Sequence, residues 1–452
     1  MSDAAAPPQR ATLMTLLRLA FPIVLSRASQ TVVGLSDAIM VAHLGAAALA
    51  ATSTGATNAF SLLILPMGIT FIVSSFSSQL FGRGDVASAR RYGWYGLVVA
   101  GVTQVVCFAS IPFFGPVISL LPYEANVKAL METYLFWRIL SGGAGIAIEA
   151  LANYYGGLGR TLPGMVTNLF AMGANVVLNY LLINGSGPIP KLGVMGAALA
   201  STISTALAFL GFFVFFLREG KGLPMPKLSW PEFSRMLRFG LPSGFNWLFE
   251  FLAFVFFVNV VVAGLGTPAV AALNSVIALN SVSFMPSFGL ASAGAVLVGQ
   301  AIGSNRKDDV PHIVKLTAGT AMVWMTLAGL TYLLIPGVLL IPFARGEDGA
   351  AVMEFGVRML MVSAAWQVFD ATATSLAECL RAAGDTLYPL VVRLLIAWLV
   401  FVPGAWFTVR SFGGGEIGAM VWLVIYIGLL ALVLLLRFRS GKWRTMELIE
   451  PG

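Results

Sequence analysis

The stretch RFGLPSGFNWLFEFLAFVFFVNVVV, residues 238–262, decides the fold twice over. Its opening, RFGLP at 238–242, repeats RLAFP at 18–22, an offset of 220. Its remainder, with its flanks, is apolar over the roughly 20 residues that a helix needs to cross a bilayer. One residue breaks that run. Glu250 has no Lys or Arg beside it between Asn246 and Val262, and an ionised carboxylate is costly in hydrocarbon unless it faces protein or a wet cavity.

The echo of the first half by the second continues outward from 238. LGAAALAA at 44–51 answers LGTPAVAA at 265–272, Pro66 answers Pro286, and FGRGD at 81–85 falls opposite IGSNR at 302–306. Further on the offset drifts, as small loop insertions would make it: GRTLP at 159–163 faces GDTLYP at 384–389, and GVMGA at 193–197 faces GGEIGA at 414–419.

Composition sets the class. The chain has 452 residues, 58% hydrophobic and 10% charged, where a soluble domain carries about 25% charged. Its mean hydropathy is +0.87. We expect an all-α polytopic membrane protein with twelve spans, near 14–40, 47–78, 92–118, 127–156, 162–184, 193–217, 236–263, 268–300, 311–341, 351–381, 387–410 and 415–437. Six spans per copy is an even number, so both copies enter from the same side as parallel repeats, the construction of a transporter that rocks one bundle against another. The expected organisation is an N-terminal lobe over 1–220, a linker over 221–235 and a C-terminal lobe over 236–452. The charged, proline-bearing segment from Arg218 to Arg238 supplies the linker.

A net charge of +7 does not mean nucleic acid, because the basic residues are spread along loops rather than gathered in a stripe. Of the 27 Lys and Arg residues, nineteen, Arg10 among them, fall on one side. Four fall on the other: Lys128, Lys191, Arg345 and Arg410. Arg27, Arg138, Arg358 and Arg393 lie within or at the ends of spans. By the positive-inside rule both termini are expected in the cytoplasm. Cys107 and Cys379 each lie inside a span, so no disulfide framework or zinc site is expected. The start MSDAAAPPQR is short and polar and no small-residue cleavage site follows the first span, so a retained first helix is expected rather than a signal peptide.

Among the acidic residues within spans, five bear on function: Asp37, Glu149, Glu250, Asp370 and Glu378. Glu149 and Glu378 read as solvated or paired residues at helix ends, with Arg160 and Arg381 close in sequence. Asp37, Glu250 and Asp370 lie deeper. A carboxylate at that depth can carry a proton, join neutral oxygens around sodium, or pair with a cationic substrate. Asn175 and Asn179, four residues apart, project from one helical face, and Ser201 and Thr202 offer hydroxyls. With Asp37 they would line a small polar pocket, or else serve as ordinary hydrogen bonds between helices.

Three stretches, LSDAIMVAHLGAAALAA, ANVVLNYLLINGSGPIPKLGVMGAALAST and WQVFDATATSLAECLRAAGDTLYP, resemble the multidrug and toxic compound extrusion (MATE) family. The likeness runs over nearly the whole chain, and Glu250 with Asp370 is most similar to its NorM-like branch. The resemblance implies V-shaped six-helix lobes and export of organic cations and drugs in exchange for protons or sodium, with no cofactor. It implies a coupling-ion or proton site at Asp37, Asn175, Asn179 and Thr202, and a coupling-ion or substrate site at Glu250 and Asp370. Two departures bear on the ion. Asn179 stands where some members have a second aspartate, and Trp366 stands where the NorM pattern has a tyrosine, four residues before Asp370. An indole offers no oxygen ligand, which tilts the expectation toward protons.

Aromatic and Met side chains suit flat organic cations. Trp247, Phe254, Phe284, Met285 and Trp366 are the cleft candidates, with Phe249, Phe257 and Phe288 beside them, although such residues are more often packing surface. Prolines 22, 66, 163, 242, 286 and 389 recur in matched positions and favour kinks within helices. The expected partners are drug-like cations and the lipid of a bacterial inner membrane, with the protein working as a monomer. The alternative is a flippase for a lipid-linked precursor, which needs a cationic cleft; Arg27 is the one residue in its favour. An enzyme is not expected, since His43 and His312 are far apart, and without a GxxxxGK[ST] loop the energy must come from a gradient.

Overall fold

The computed structural model describes residues 11–185, 190–221, 227–344 and 349–449. Arg10, Arg345 and positions 222–226 of the expected linker lie outside the described residues. The described residues contain helices and no strand. Six segments of the first half carry the labels α1 (Leu13–Ala42), α2 (Ala46–Gly82), α3 (Val86–Ser119), α4 (Ala125–Ile139 with Gly142–Gly157), α5 (Leu162–Asn184) and α6 (Val194–Glu219). The second half gives α7 (Trp230–Leu265), α8 (Thr267–Gly303), α9 (Lys307–Leu334), α10 (Gly349–Ala382), α11 (Leu387–Ser411) and α12 (Gly415–Arg439).

Eleven of these are long and apolar enough to cross a membrane by themselves, and α4 makes the twelfth if its two pieces, bent by 46°, form one span. The apolar surface is not turned inward as in a soluble bundle. The most apolar window of α12 has a mean hydropathy of 2.8, yet only 33% of it is buried. Hydrocarbon is the solvent that such a helix requires. The helix α7 starts at Trp230, inside the stretch expected as linker.

The sequence repeat is also a repeat of backbone geometry. Gly45 and Gly266, which open the matched LGAAALAA and LGTPAVAA stretches, have φ of 106° and 101°. Gly159 and Gly384 have 75° and 94°, and Gly193 and Gly415 both have 56°. Opposite Gly84 stands Asn305, the one non-glycine with positive φ among the described residues. Glycine enters this region without a Cβ clash, and asparagine is among the side chains that tolerate it best.

The matched prolines divide into two kinds. Pro22, Pro66, Pro242 and Pro286 lie within helices. Pro163 and Pro389 instead sit in the first turn of α5 and α11, where a helix has no partner for that N–H and proline costs little. For those two the expectation of a kink is corrected.

The chain groups into two compact units. The C unit holds Met1–Val24, Ser78–Gly84 and Phe245–Gly452; the N unit holds Leu25–Ser77 and Asp85–Gly244. The breaks in α1 and α7 each fall two residues after a repeat-related proline, Pro22 and Pro242. In the C unit α10 is the packing centre, with α8, α9 and α12 against it around a core that includes Met359, Leu360, Ala371 and Leu376. The short segment 78–84 belongs here because it meets α8 backbone to backbone. A Cβ on Gly82 or Gly303 would strike the main chain of Gln300 or Gln79 respectively, and Gln79 Nε2 donates to the Ala382 carbonyl at 2.7 Å. In the N unit α5 packs on α6 and α3 on α4. Cys107 and Cys379 are buried free thiols.

Candidate functional site

In the N unit three helices deliver polar side chains to one buried point. Asp37 comes from α1, Asn175 and Asn179 from α5, and Ser201 from α6. The Asn179 amide donates to Asp37 Oδ1 and to Asn175 Oδ1 at 3.1 Å. Ser201 Oγ donates to Asp37 Oδ2 at 3.1 Å and accepts from Asn175 Nδ2 at 3.0 Å. Both carboxylate oxygens are therefore met by neutral donors. All four residues are buried, Asn179 completely.

The expected quartet is corrected at one position. Thr202 turns away from Asp37 and donates to the Trp137 carbonyl at 2.7 Å, so Ser201, its neighbour, supplies the hydroxyl of the cluster. One acceptor is left over: Asn179 Oδ1 is buried with no hydrogen-bond donor. A buried amide oxygen without a donor carries a desolvation cost of about 1–3 kcal/mol, so it stands ready for a proton donor or a cation. Arg138 is within electrostatic range of Asp37.

Glu149 is not paired with Arg160. Arg160 pairs with Glu219, while Glu149 takes Arg27 in a two-pronged contact of 2.9 Å on each oxygen and a further donor from Gln30 Nε2 at 2.8 Å. The reading that made Arg27 a cation for phosphate loses its basis, because that charge is already answered within the N unit. Glu378 pairs with Arg381 in its own helix, as its sequence neighbourhood suggested.

In the C unit Glu250 does have a cation. Arg393, from α11, forms an ion pair with it, and the absence of a basic residue in the run around Glu250 misled the sequence reading. Asp370 of α10 lies within electrostatic range of both Glu250 and Arg393 and accepts a long hydrogen bond of 3.4 Å from Thr374 Oγ1. Tyr426 of α12 lies within the same range of Arg393. Asn246, one turn before Glu250, lines a small recess with Phe249, Leu390 and Arg393. Two carboxylates and one guanidinium thus meet where three helices converge. The signal for Arg393 was present in the sequence: it is a lone cation in an apolar span, as unexplained there as Glu250 in its own.

The aromatic candidates separate by burial. Trp366 is 7% exposed and sits in the hydrophobic core of the C unit, as do Phe257 and Phe288 at 0% and 5%. Trp247, Phe254, Phe284 and Met285 are half-buried. Trp247 meets Phe288 edge-on, and Phe284 stacks on Phe288. Among the described residues no group of three or more His, Cys, Asp or Glu side chains could hold a metal ion.

Comparison with known proteins follows the same lines. The MatE family matches the chain twice, over residues 22–181 and 242–407, beginning at Pro22 and Pro242 of the two repeats. The probable multidrug resistance protein NorM of Pseudomonas putida is 28% identical over 449 residues, covering 97% of this chain and 96% of its own. The protein of the same description from Caulobacter vibrioides is 30% identical, covering 98% and 95%. A crystal structure of MATE in complex with MaL6 superposes with a TM-score of 0.89 at 20% identity, over 97% of this chain and 98% of the other; it speaks for the fold. Two separate matches, each running over the first five helices of its half and together covering more than half of the chain, make it a member of the MatE family, a family of multi-span membrane transporters and not of enzymes.

Proposed function

We propose that this transporter exports singly charged organic cations of drug-like character from the bacterial cytoplasm in exchange for protons. The observation that carries the choice of proton is the cluster at Asp37. A single carboxylate there has both oxygens bonded by neutral groups, and the free acceptor on Asn179 lies beside it. When Asp37 is ionised, the Asn179 amide N–H serves it. When Asp37 takes a proton, half-turns of the Asn179 and Asn175 amides together present the Asn179 oxygen to the new O–H, keep one N–H between the two amides, and leave the Asn175 oxygen to accept from Ser201. A network with a partner for each protonation state favours proton exchange over a metal ion, which asks for several oxygens converging at once.

The carboxylates of the C unit are the substrate side of this reading. Glu250 and Asp370 supply negative charge, and the half-buried Trp247, Phe254, Phe284 and Met285 supply the apolar and π surface that organic cations favour. The relatives in Pseudomonas putida and Caulobacter vibrioides, probable multidrug resistance proteins, agree with that chemistry. Each cluster is complete within one chain, which supports a working monomer, and the loop charges support an inner-membrane orientation with both termini in the cytoplasm. No cofactor is required.

The test is efflux of ethidium from proteoliposomes under an imposed proton gradient or an imposed sodium gradient, for the wild type and Asp37→Asn. Efflux driven by the proton gradient alone, and lost in the variant, is expected. Efflux driven by sodium alone would overturn the choice of ion, and absence of efflux under either gradient would overturn the export reading.

A further inference from the structure

The export reading uses Glu250 and Asp370 but leaves Arg393 without a task. A guanidinium placed inside an acidic substrate site is unexpected, because it competes with any cation that enters. The fold nevertheless holds it there firmly. Arg393 lies at the end of the regular part of α11, just before a π-helical turn over Ile396–Phe401. The helix of Glu250 breaks in the same way, into a π turn over Phe257–Val261. The two turns pack through Phe257 and Phe401, with ring centroids 5.0 Å apart, and Phe401 stacks in turn on Tyr426 at 5.2 Å. Inserted π turns re-aim the side chains around them and are frequent at functional sites. Here the aromatic column locks the two helices in the register that brings Arg393 onto Glu250.

The charge balance gives the consequence. Glu250 and Asp370 contribute two negative charges and Arg393 one positive charge, so the ionised cluster presents one net negative charge to an entering ligand. We propose that Arg393 is a built-in cation that sets the charge selectivity of this site, restricting it to singly charged organic cations and excluding doubly charged ones. A tethered guanidinium competes at an effective concentration in the ~mM range or above, and it holds carboxylates through a rigid fork of N–H donors. A bulky monocation does not need Glu250: it pairs with Asp370 and leaves the ion pair intact. A dication brings a second charge for which no free carboxylate remains. The inference rests on the reading that the C unit binds substrate.

Ethidium and propidium separate the two cases, since they share one ring system and propidium adds a second permanent charge. Binding of each dye to the purified full-length protein is measured for the wild type, Arg393→Gln, Glu250→Gln and the double variant Glu250→Gln with Arg393→Gln. The wild type should prefer ethidium. In Arg393→Gln, with two net negative charges, the propidium-to-ethidium affinity ratio should rise roughly tenfold, the scale of one added close charge pair. The double variant, again with one net negative charge, should return to the wild-type ratio, and Glu250→Gln, with none, should bind both dyes weakly. A purely structural ion pair would alter melting temperature without this ordering by charge. An Arg393→Gln ratio equal to that of the wild type would overturn the inference while leaving the export reading in place. If that variant does not fold, equal dye binding by Glu250→Gln and the double variant would overturn it instead. Failure of the wild type to bind ethidium would remove the export reading and this inference with it.

Discussion

The two units solve one problem, a carboxylate at membrane depth, in opposite ways. In the N unit Asp37 is surrounded by amides and a hydroxyl, its direct partners among the described residues are hydrogen-bond donors, and Arg138 acts on it only from a distance. In the C unit Glu250 is neutralised by a full opposite charge, and Asp370 stands beside the pair. A neutral network can gain or lose a proton with small rearrangement, because each member can both give and accept a hydrogen bond. An ion pair resists such a change, since removing either charge strands the other. The repeat thus supplies equivalent scaffolds, and on the proposed reading the side chains give one of them to protons and the other to charged ligands.

The strongest way to break this comparison is to neutralise Asp37. The Asp37→Asn variant should reduce proton-driven efflux to the background leak while leaving dye binding in detergent near the wild-type level. Equal loss of binding and transport would place Asp37 in the substrate site. Stability should respond most at the other unit. Glu250→Gln removes the direct partner of Arg393 and leaves it only the neighbouring Asp370; it should cost about 2 kcal/mol, below the ~3–5 kcal/mol of a fully buried pair, because Asp370 remains and the Glu250 side chain is 37% exposed. The double variant with Arg393→Gln should recover most of that loss, and thermal unfolding of the purified protein measures both.

A smaller change sharpens the contrast in ion choice. Asn179→Asp adds a second carboxylate next to Asp37, and a sodium gradient should then begin to drive efflux that it does not drive in the wild type. Transport that stays insensitive to sodium would show that one added carboxylate does not make a sodium site here. The smallest effects concern adjacent hydroxyls. Ser201→Ala removes a donor to Asp37 and should shift the pH dependence of transport, at a cost in stability of about 1 kcal/mol. Thr202→Ala loses only its bond to the Trp137 carbonyl and should leave the pH profile in place.

What was legible in the sequence follows from locality. Twelve apolar runs and the echo of RLAFP in RFGLP need only short windows, and the positive-φ glycines that reappear in both repeats confirm the matched turns. Asn175 and Asn179 could be placed together because four residues separate them on one helix. Partners far apart in the chain were not legible. Arg27 and Glu149 are 122 residues apart, and Glu250 and Arg393 lie on different helices of the second repeat. Each looked like an unanswered charge in its own span, and only the packing of the helices joins them. Ser201 and Thr202 illustrate a finer limit. They are neighbours about 100° apart around a helix, and which of the two faces Asp37 depends on the rotation of α6, which composition does not encode. Burial divided the aromatic candidates for the same reason: Trp366 and Trp247 are equally apolar, but one is core and the other half-buried.

The claim that ties the two units together is that a substrate cation held by the C unit is exchanged for a proton held by Asp37. The most direct measurement is proton release on binding of tetraphenylphosphonium to the purified protein in weakly buffered detergent, followed with a pH-sensitive dye. The account predicts proton release by the wild type, binding without release by Asp37→Asn, and neither binding nor release by Asp370→Asn. Proton release by Asp37→Asn equal to that of the wild type would contradict it.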